Sequence, residues 1–465
     1  MAFIKNIVRI PMNVDLTKDN DALNGEIFPT FVRYLIPSVL GLIAMTSSSL
    51  VDGIFIGNYV GITALAAVNL IIPIITLLFG VSMMMSIGGS VRGGKYLGEG
   101  NKSAASSIFS KSLIFMTLYG IASITLTLVF EEQIFASLGA TKELFPVMSE
   151  YYRIIMPFVI FQLIIIPLYF FIRLDGLPNL AAIALGVGAV VNIALDYLFI
   201  AVYDWGLTGA AWATGISEVL SLLVILFYFF MPERTLSFSF RQNNWMEVFQ
   251  AAYNGISEFI NEVSGAIIAF IFNWMLIQRA GVDGVAAITV VNYMLMTGFM
   301  MFFAIEDTSQ VMISQNYGAQ NAQRTRAFLK TACVIGALLS IFFITVLVTA
   351  SEPLIYLFVN EKDSDQTVAL ALEFVTYVWP IFIFAGFNMM ITGYLTAIHL
   401  PFQSALLAMN RGLILPTGLL ILFYSLLSDF RFIAALSIAE GIAFILAIAL
   451  FLRYSPQKAI SAARG

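Results

Sequence analysis

Runs of about twenty apolar residues recur along this chain between short polar turns, and that pattern leaves few folds open. A helix needs roughly 20 mostly apolar residues to cross the hydrocarbon core of a bilayer, and there only helices and closed barrels satisfy their own backbone hydrogen bonds. Of 465 residues, 60% are apolar and 11% charged, against about 25% charged in a soluble domain. Water is therefore not the main solvent of this surface. The runs place helices near 28–55, 62–89, 104–130, 149–172, 179–200 and 206–230, then near 248–278, 284–313, 327–349, 368–396, 402–427 and 430–452. Residues 1–27 carry no apolar run, so no cleavable signal is expected and helix 1 acts as the first insertion signal. The expected class is an all-α membrane protein of twelve transmembrane helices.

Composition removes several chemistries. The one cysteine, Cys333, lies in an apolar helix and forms neither an intrachain disulfide nor a thiolate metal site. The one histidine, His399, reads as a loop residue at the membrane surface and argues against a zinc or haem enzyme. A net charge of −5 without a polybasic tail gives nucleic acid no handle. No GxxxxGK[ST] string is present, so an ATP-driven pump is unsupported. No catalytic residues and no cofactor are expected.

Lys and Arg set the expected orientation. Lys5, Arg9, Lys18, Arg92, Lys95, Lys102, Lys111, Arg173, Arg234, Arg241, Arg324, Arg326, Lys330, Arg411, Arg453, Lys458 and Arg464 fall in segments on one side. Lys142, Arg153, Arg279, Lys362 and Arg431 fall near the other, where Glu131, Glu132, Glu361, Asp363 and Asp365 also cluster. With an even number of spans, both termini are expected in the cytoplasm. So is the polar break 231–247, which divides the chain into halves 1–233 and 234–465.

The halves echo each other. A shift of 220 carries Gly61, Ala66 and Ala67 onto Gly281, Ala286 and Ala287, and Gly98 and Asn101 onto Gly318 and Asn321. A shift of 223 carries Glu150, Pro157 and Pro178 onto Glu373, Pro380 and Pro401, and one of 222 carries Glu218 onto Glu440. Six spans return the chain to its starting side, so the repeat is parallel: two six-helix lobes about an axis along the membrane normal. Such pairs enclose a cavity that opens to alternate sides. A symmetric channel is the plainer reading of the same repeat.

Carboxylates inside the membrane cost at least about 2.5 kcal/mol each and need a partner, a proton or a water-filled cavity. Asp52 stands in helix 1 within TSSSLVDGIFIG, downstream of Pro37, which removes one helical hydrogen bond and supplies a hinge. In helix 5, Asn192 and Asp196 are spaced i, i+4 on one face, and Thr214 adds a hydroxyl from helix 6. Two carboxylates drawn together in a low-dielectric site cannot both ionise cheaply, so one would hold a proton. The plainer reading of Asp196 is a structural cap near the helix end. In the second half, Glu258 and Glu262 share a face of helix 7, and Glu306 and Asp307 adjoin in helix 8. Without nearby Lys or Arg these acids read as a cation-attracting wall, or, for Glu258, as a solvated entry residue. Glu218 and Glu440 would bond across the halves. Twenty methionines and 41 phenylalanines would give an adaptable lining for bulky cationic ligands, although most such side chains face lipid or fill the bundle.

Pro37 followed by LVDGIFIG, then LAAVNL, NIALDYLFI, GAAWAT and NYGAQN, resembles the multidrug and toxic compound extrusion (MATE) family, and the likeness runs from helix 1 through helix 12. The resemblance implies a monomeric, multi-pass protein of the cell (inner or plasma) membrane, whose two lobes form a V and export small organic cations and drugs in exchange for protons or sodium ions. Carried over by position, Asp52, Asn192, Asp196 and Thr214 form the coupling-ion site, with sodium possible at Asp52 and Asp196. In one branch, acids in helices 7 and 10 bind the ion. Here helix 10 has no mid-membrane acid and the helix 7 glutamates sit about a turn off, which favours coupling through the first lobe; the usual Gln-Pro of helix 8 reads Gln310-Val311. The runner-up is a lipid-linked sugar flippase of the same wider superfamily. That activity calls for basic residues facing a pyrophosphate, and no Lys or Arg is expected mid-span.

Overall fold

In the computed structural model, which describes residues 21–239, 244–356 and 365–464, apolar helices follow one another with no strand among the described residues. Lys5, Arg9, Lys18, Arg241, Glu361, Lys362 and Asp363, used above for orientation, lie outside them. The spans are α1 (Ile27–Phe55), α2 (Ile62–Gly98), α3 (Lys102–Val129), α4 (Leu144–Leu174), α5 (Pro178–Asp196) and α6 (Gly206–Leu226). They continue as α7 (Ile256–Gly281), α8 (Asp283–Gly318), α9 (Ala322–Thr349), α10 (Gln366–Val378 with Ile381–Ala397), α11 (Pro401–Leu426) and α12 (Phe430–Arg453). Eleven helices are long and apolar enough to cross a bilayer, and α10, bent by 52° at its break, makes twelve spans if its two pieces count as one. Large apolar side chains such as Leu40, Leu118, Val129 and Ile445 face outward, as lipid contact requires. The chain is a multi-pass membrane protein of two helical lobes.

Local geometry obeys the repeat closely. Gly61 (φ 120°) separates α1 from α2, and its counterpart Gly281 (φ 61°) separates α7 from α8. Both sit where a side chain would oppose the positive φ. Asn101 caps α3 by accepting from Ala104 N at 3.0 Å, and Asn321 caps α9 by accepting from Arg324 N at 3.0 Å. Pro178 and Pro401 each open a helix, where the missing N–H costs nothing. The halves differ at the remaining proline pair: α4 runs unbroken through Pro157, whereas α10 breaks at Pro380.

The first compact unit is Met1–Gly255 and the second Ile256–Gly465. The division thus falls at Gly255, not at 233/234, because the chain after α6 is bonded to the first unit. Oδ2 of Asp175 accepts from Tyr228 OH (2.6 Å), Thr235 N (2.7 Å) and Leu236 N (3.3 Å). Burial pushes the Asp175 carboxyl up, and these donors pull against it. Ser237 N and Ser239 N then donate to Ser106 Oγ (3.2 Å) and Ser110 Oγ (2.9 Å) on α3. A short helix, Met246–Asn254, completes the attachment. Its Glu247 accepts from Tyr96 OH (2.6 Å) and Lys111 Nζ (3.2 Å), with Arg92 3.7 Å away. A Cβ on Gly88 would lie 1.9 Å from Ala251 O, so only glycine lets α2 approach this helix so closely.

Within the first unit α1 packs on α5, and α4 lies against α2, α5 and α6. Within the second, α10 packs against α7, α8, α9 and α12.

Candidate functional site

Asp52 stands near the C-terminal end of α1, and α5 and α6 bring the remaining polar groups to it. Its Oδ1 accepts from Asn192 Nδ2 at 3.0 Å, and its Oδ2 from Thr214 Oγ1 at 3.3 Å. Asn192 Nδ2 also lies 3.4 Å from Thr214 Oγ1, and Asn192 Oδ1 accepts from Ser48 Oγ. The amide therefore uses both its oxygen and its nitrogen, which sets the way it faces. Asp196, one turn along α5, is fully buried and interacts directly with Asp52. Among the described residues no donor reaches either of its carboxylate oxygens. The four residues singled out from the sequence are thus brought together, and Ser48 joins them. Ser48 stands at i−4 to Asp52, a spacing that could have identified it.

All donors to this carboxylate pair are neutral. Asp196 is buried and Asp52 half-buried, and two adjoining acids so placed, without a cationic side chain, need a proton or a small cation for charge balance. Carboxylate, amide and hydroxyl oxygens are the hard donors that a sodium ion accepts. The helices also deform here: a π turn, Ile56–Val60, follows Asp52, and another, Tyr197–Val202, begins right after Asp196. Single π turns leave the regular i→i−4 ladder and recur at functional sites. α1 stays helical through Pro37.

A cavity of 220 Å³ opens beside the cluster, lined by Ser48, Asp52, Asn192 and Thr214 and by Tyr151, Phe158, Gln162 and Glu218. Asp196 is not among the residues that line it. Glu218, one turn beyond Thr214 on α6, faces this first-lobe cavity.

In the second lobe, Glu258 is 3% exposed, so it is not a solvated entry residue. Its Oε1 accepts from Gln310 Nε2 (3.3 Å) and its Oε2 from Asn261 Nδ2 (3.5 Å). Glu306 is 1% exposed and neither of its carboxylate oxygens has a donor among the described residues. A Cβ on Gly393 would lie 2.6 Å from Glu306 Cγ, so α10 covers this acid with bare backbone. Asp307 is also buried, whereas Glu262 is half-buried.

The expected lack of basic residues here is incorrect. Arg411 lies within α11, in the π turn Asn410–Ile414, and its Nε donates to Glu440 Oε1 at 3.0 Å. Its charge also reaches Glu306. Glu440 further accepts from Asn388 Nδ2 at 2.5 Å, so its bonds to Asn388 and Arg411 lie inside its own lobe. In sequence Arg411 reads as a flanking charge, yet apolar runs on both sides of AMNRGLIL placed it inside the span.

Comparison with known proteins places the chain among transporters. The family profile described as MatE matches residues 37–198 and 259–406. The multidrug export protein MepA of Staphylococcus haemolyticus is 23% identical over 436 residues, which is 93% of this chain and 94% of that protein. The probable multidrug resistance protein YoeA of Bacillus subtilis is 22% identical, over 76% of this chain and 78% of its own. Two solved structures share the fold. A MOP superfamily transporter from Pyrococcus furiosus, described as having a binding pocket of reversed polarity, gives a TM-score of 0.87 at 22% identity over 96% of this chain and 98% of its own. A MATE transporter in its outward-facing conformation gives 0.85 at 23% over the same shares.

Proposed function

The chain belongs to the multidrug and toxic compound extrusion (MatE) family, and on that premise we propose that it exports small organic, often cationic, compounds in exchange for an inward-moving proton or sodium ion. The single observation that carries this reading is Asp196, fully buried beside Asp52 with no donor on either oxygen among the described residues. A group so costly to bury is accounted for by an exchangeable cation.

Asp52, Asn192, Asp196 and Thr214 then form the coupling site. A cation arriving from outside neutralises the carboxylate pair, α1 bends at Pro37, and the cavity beside Asp52 narrows so that substrate leaves outward. Release of the cation to the cytoplasm reopens it, completing alternating access. For one charge moving inward, the membrane potential supplies about 2.3 kcal/mol per 100 mV, or roughly a fiftyfold gradient. A flippase for lipid-linked sugars needs free basic groups facing a pyrophosphate, and Arg411 is held by Glu440. Export of cations is the better supported reading.

The test is substrate efflux from proteoliposomes under a pH or a sodium gradient, imposed one at a time. Asp52→Asn should fold and should fail to concentrate substrate. Uphill efflux by that variant at the wild-type rate would remove the assignment.

A further inference from the structure

We infer that Glu218 is the recognition group for the positive charge of the exported compound, in a first-lobe site that takes a small aromatic or quaternary ammonium group. The inference rests on the export reading and assigns a second carboxylate, apart from the coupling pair, to the substrate.

α6 presents Thr214, Ser217, Glu218 and Ser221 toward the cavity. Three of these side chains are engaged: Thr214 with Asp52, Ser217 Oγ with Thr214 O at 2.7 Å, and Ser221 Oγ with Ala184 O at 2.9 Å. Glu218 is held by no hydrogen bond or ion pair among the described residues. The wall contains two carboxylates, those of Asp52 and Glu218, and no Lys, Arg or His. Asp52 is engaged by Asn192 and Thr214, so Glu218 is the acid left open to an incoming ligand.

The rest of the wall suits an organic cation rather than a bare ion. Phe158 meets Trp212 edge to face, with centroids 5.5 Å apart. A Cβ on Gly215 would lie 2.3 Å from the Phe158 ring, so the glycine lets that ring lie against α6. Phe158 and Tyr151 thus set aromatic surfaces beside a carboxylate, the combination that attracts ammonium groups. At 220 Å³ the cavity falls below the roughly 300–1,000 Å³ of a drug-sized pocket. It accepts one ring with its ammonium group, either a whole small molecule or the charged end of a larger one.

Binding to the purified full-length protein in detergent tests this with two probes of similar shape: phenyltrimethylammonium, and N,N-dimethylaniline, which is uncharged at neutral pH. Glu218→Gln should weaken the cation about tenfold or more and the neutral amine less than about twofold. Glu218→Asp, which keeps the charge, should stay within about fivefold of the parent for the cation. A Gln variant that binds the cation as the parent does, equal losses for both probes, or an Asp variant as weak as the Gln variant would each overturn the assignment. Coupling is measured separately in proteoliposomes, so uphill efflux by Asp52→Asn would sink the coupling site and leave this binding result standing.

Discussion

Asn192 is the residue on which the first-lobe cluster turns, because its one amide joins α1 to α6. It takes a hydrogen bond from Ser48 and donates to Asp52, with Thr214 also in reach of its nitrogen. Asp196 is the contrasting case, buried and unsatisfied, which is the condition expected of a group kept for function at the expense of stability. Asp196→Asn removes a potential buried charge and supplies an amide that can donate to Asp52. That variant should melt at the parent temperature or higher and should lose uphill transport. A clear fall in melting temperature with transport retained would show Asp196 to be structural. These residues were legible in the sequence, since i, i+4 spacing on an apolar helix exposes a polar face. The cavity-facing position of Glu218 was not, because a helical pattern does not say which neighbour a face meets.

At the scale of elements, the segment after α6 carries the main departure from expectation. Polar composition marks 231–247 as a break, and the short helix that follows reads as the start of span seven. Instead Met246–Asn254 is a separate helix, and Glu247 on it sits against Lys111, whose side chain is 2% exposed. Removing one partner of a buried pair leaves the other uncompensated and costs about 3–5 kcal/mol. Lys111 keeps its bond to Asn244 O at 3.0 Å, which puts Glu247→Ala at the lower end of that range. The variant should lower thermal stability and make 231–247 sensitive to limited proteolysis. Unchanged cleavage and melting would show that this ion pair does not hold the segment. The π turns after Asp52 and Asp196 belong to the same scale. They depend on how α1, α5 and α6 meet, and neither IGNYV nor YLFIAV carries a local signal for them.

For the whole molecule, the orientation inferred from Lys and Arg is directly testable. Both termini and the 231–247 segment are predicted to be cytoplasmic. With Cys333 replaced, single cysteines at Phe238 (54% exposed) and Lys458 should resist a membrane-impermeant maleimide in intact cells and react after permeabilisation. Labelling of either from outside would reverse the orientation. The number of spans, the lobe repeat and the polar positions of the first-lobe cluster were readable from the chain alone, because a bilayer demands long apolar helices and makes every internal charge conspicuous. The repeat was readable for a related reason: Gly61 and Gly281, and Asn101 and Asn321, do the same backbone work at equivalent bends and caps. Tertiary structure alone decided that Arg411 points to Glu440, that Glu258 is buried, and that the first unit extends to Gly255. Those outcomes depend on which helix faces which, and so on contacts between residues far apart in sequence.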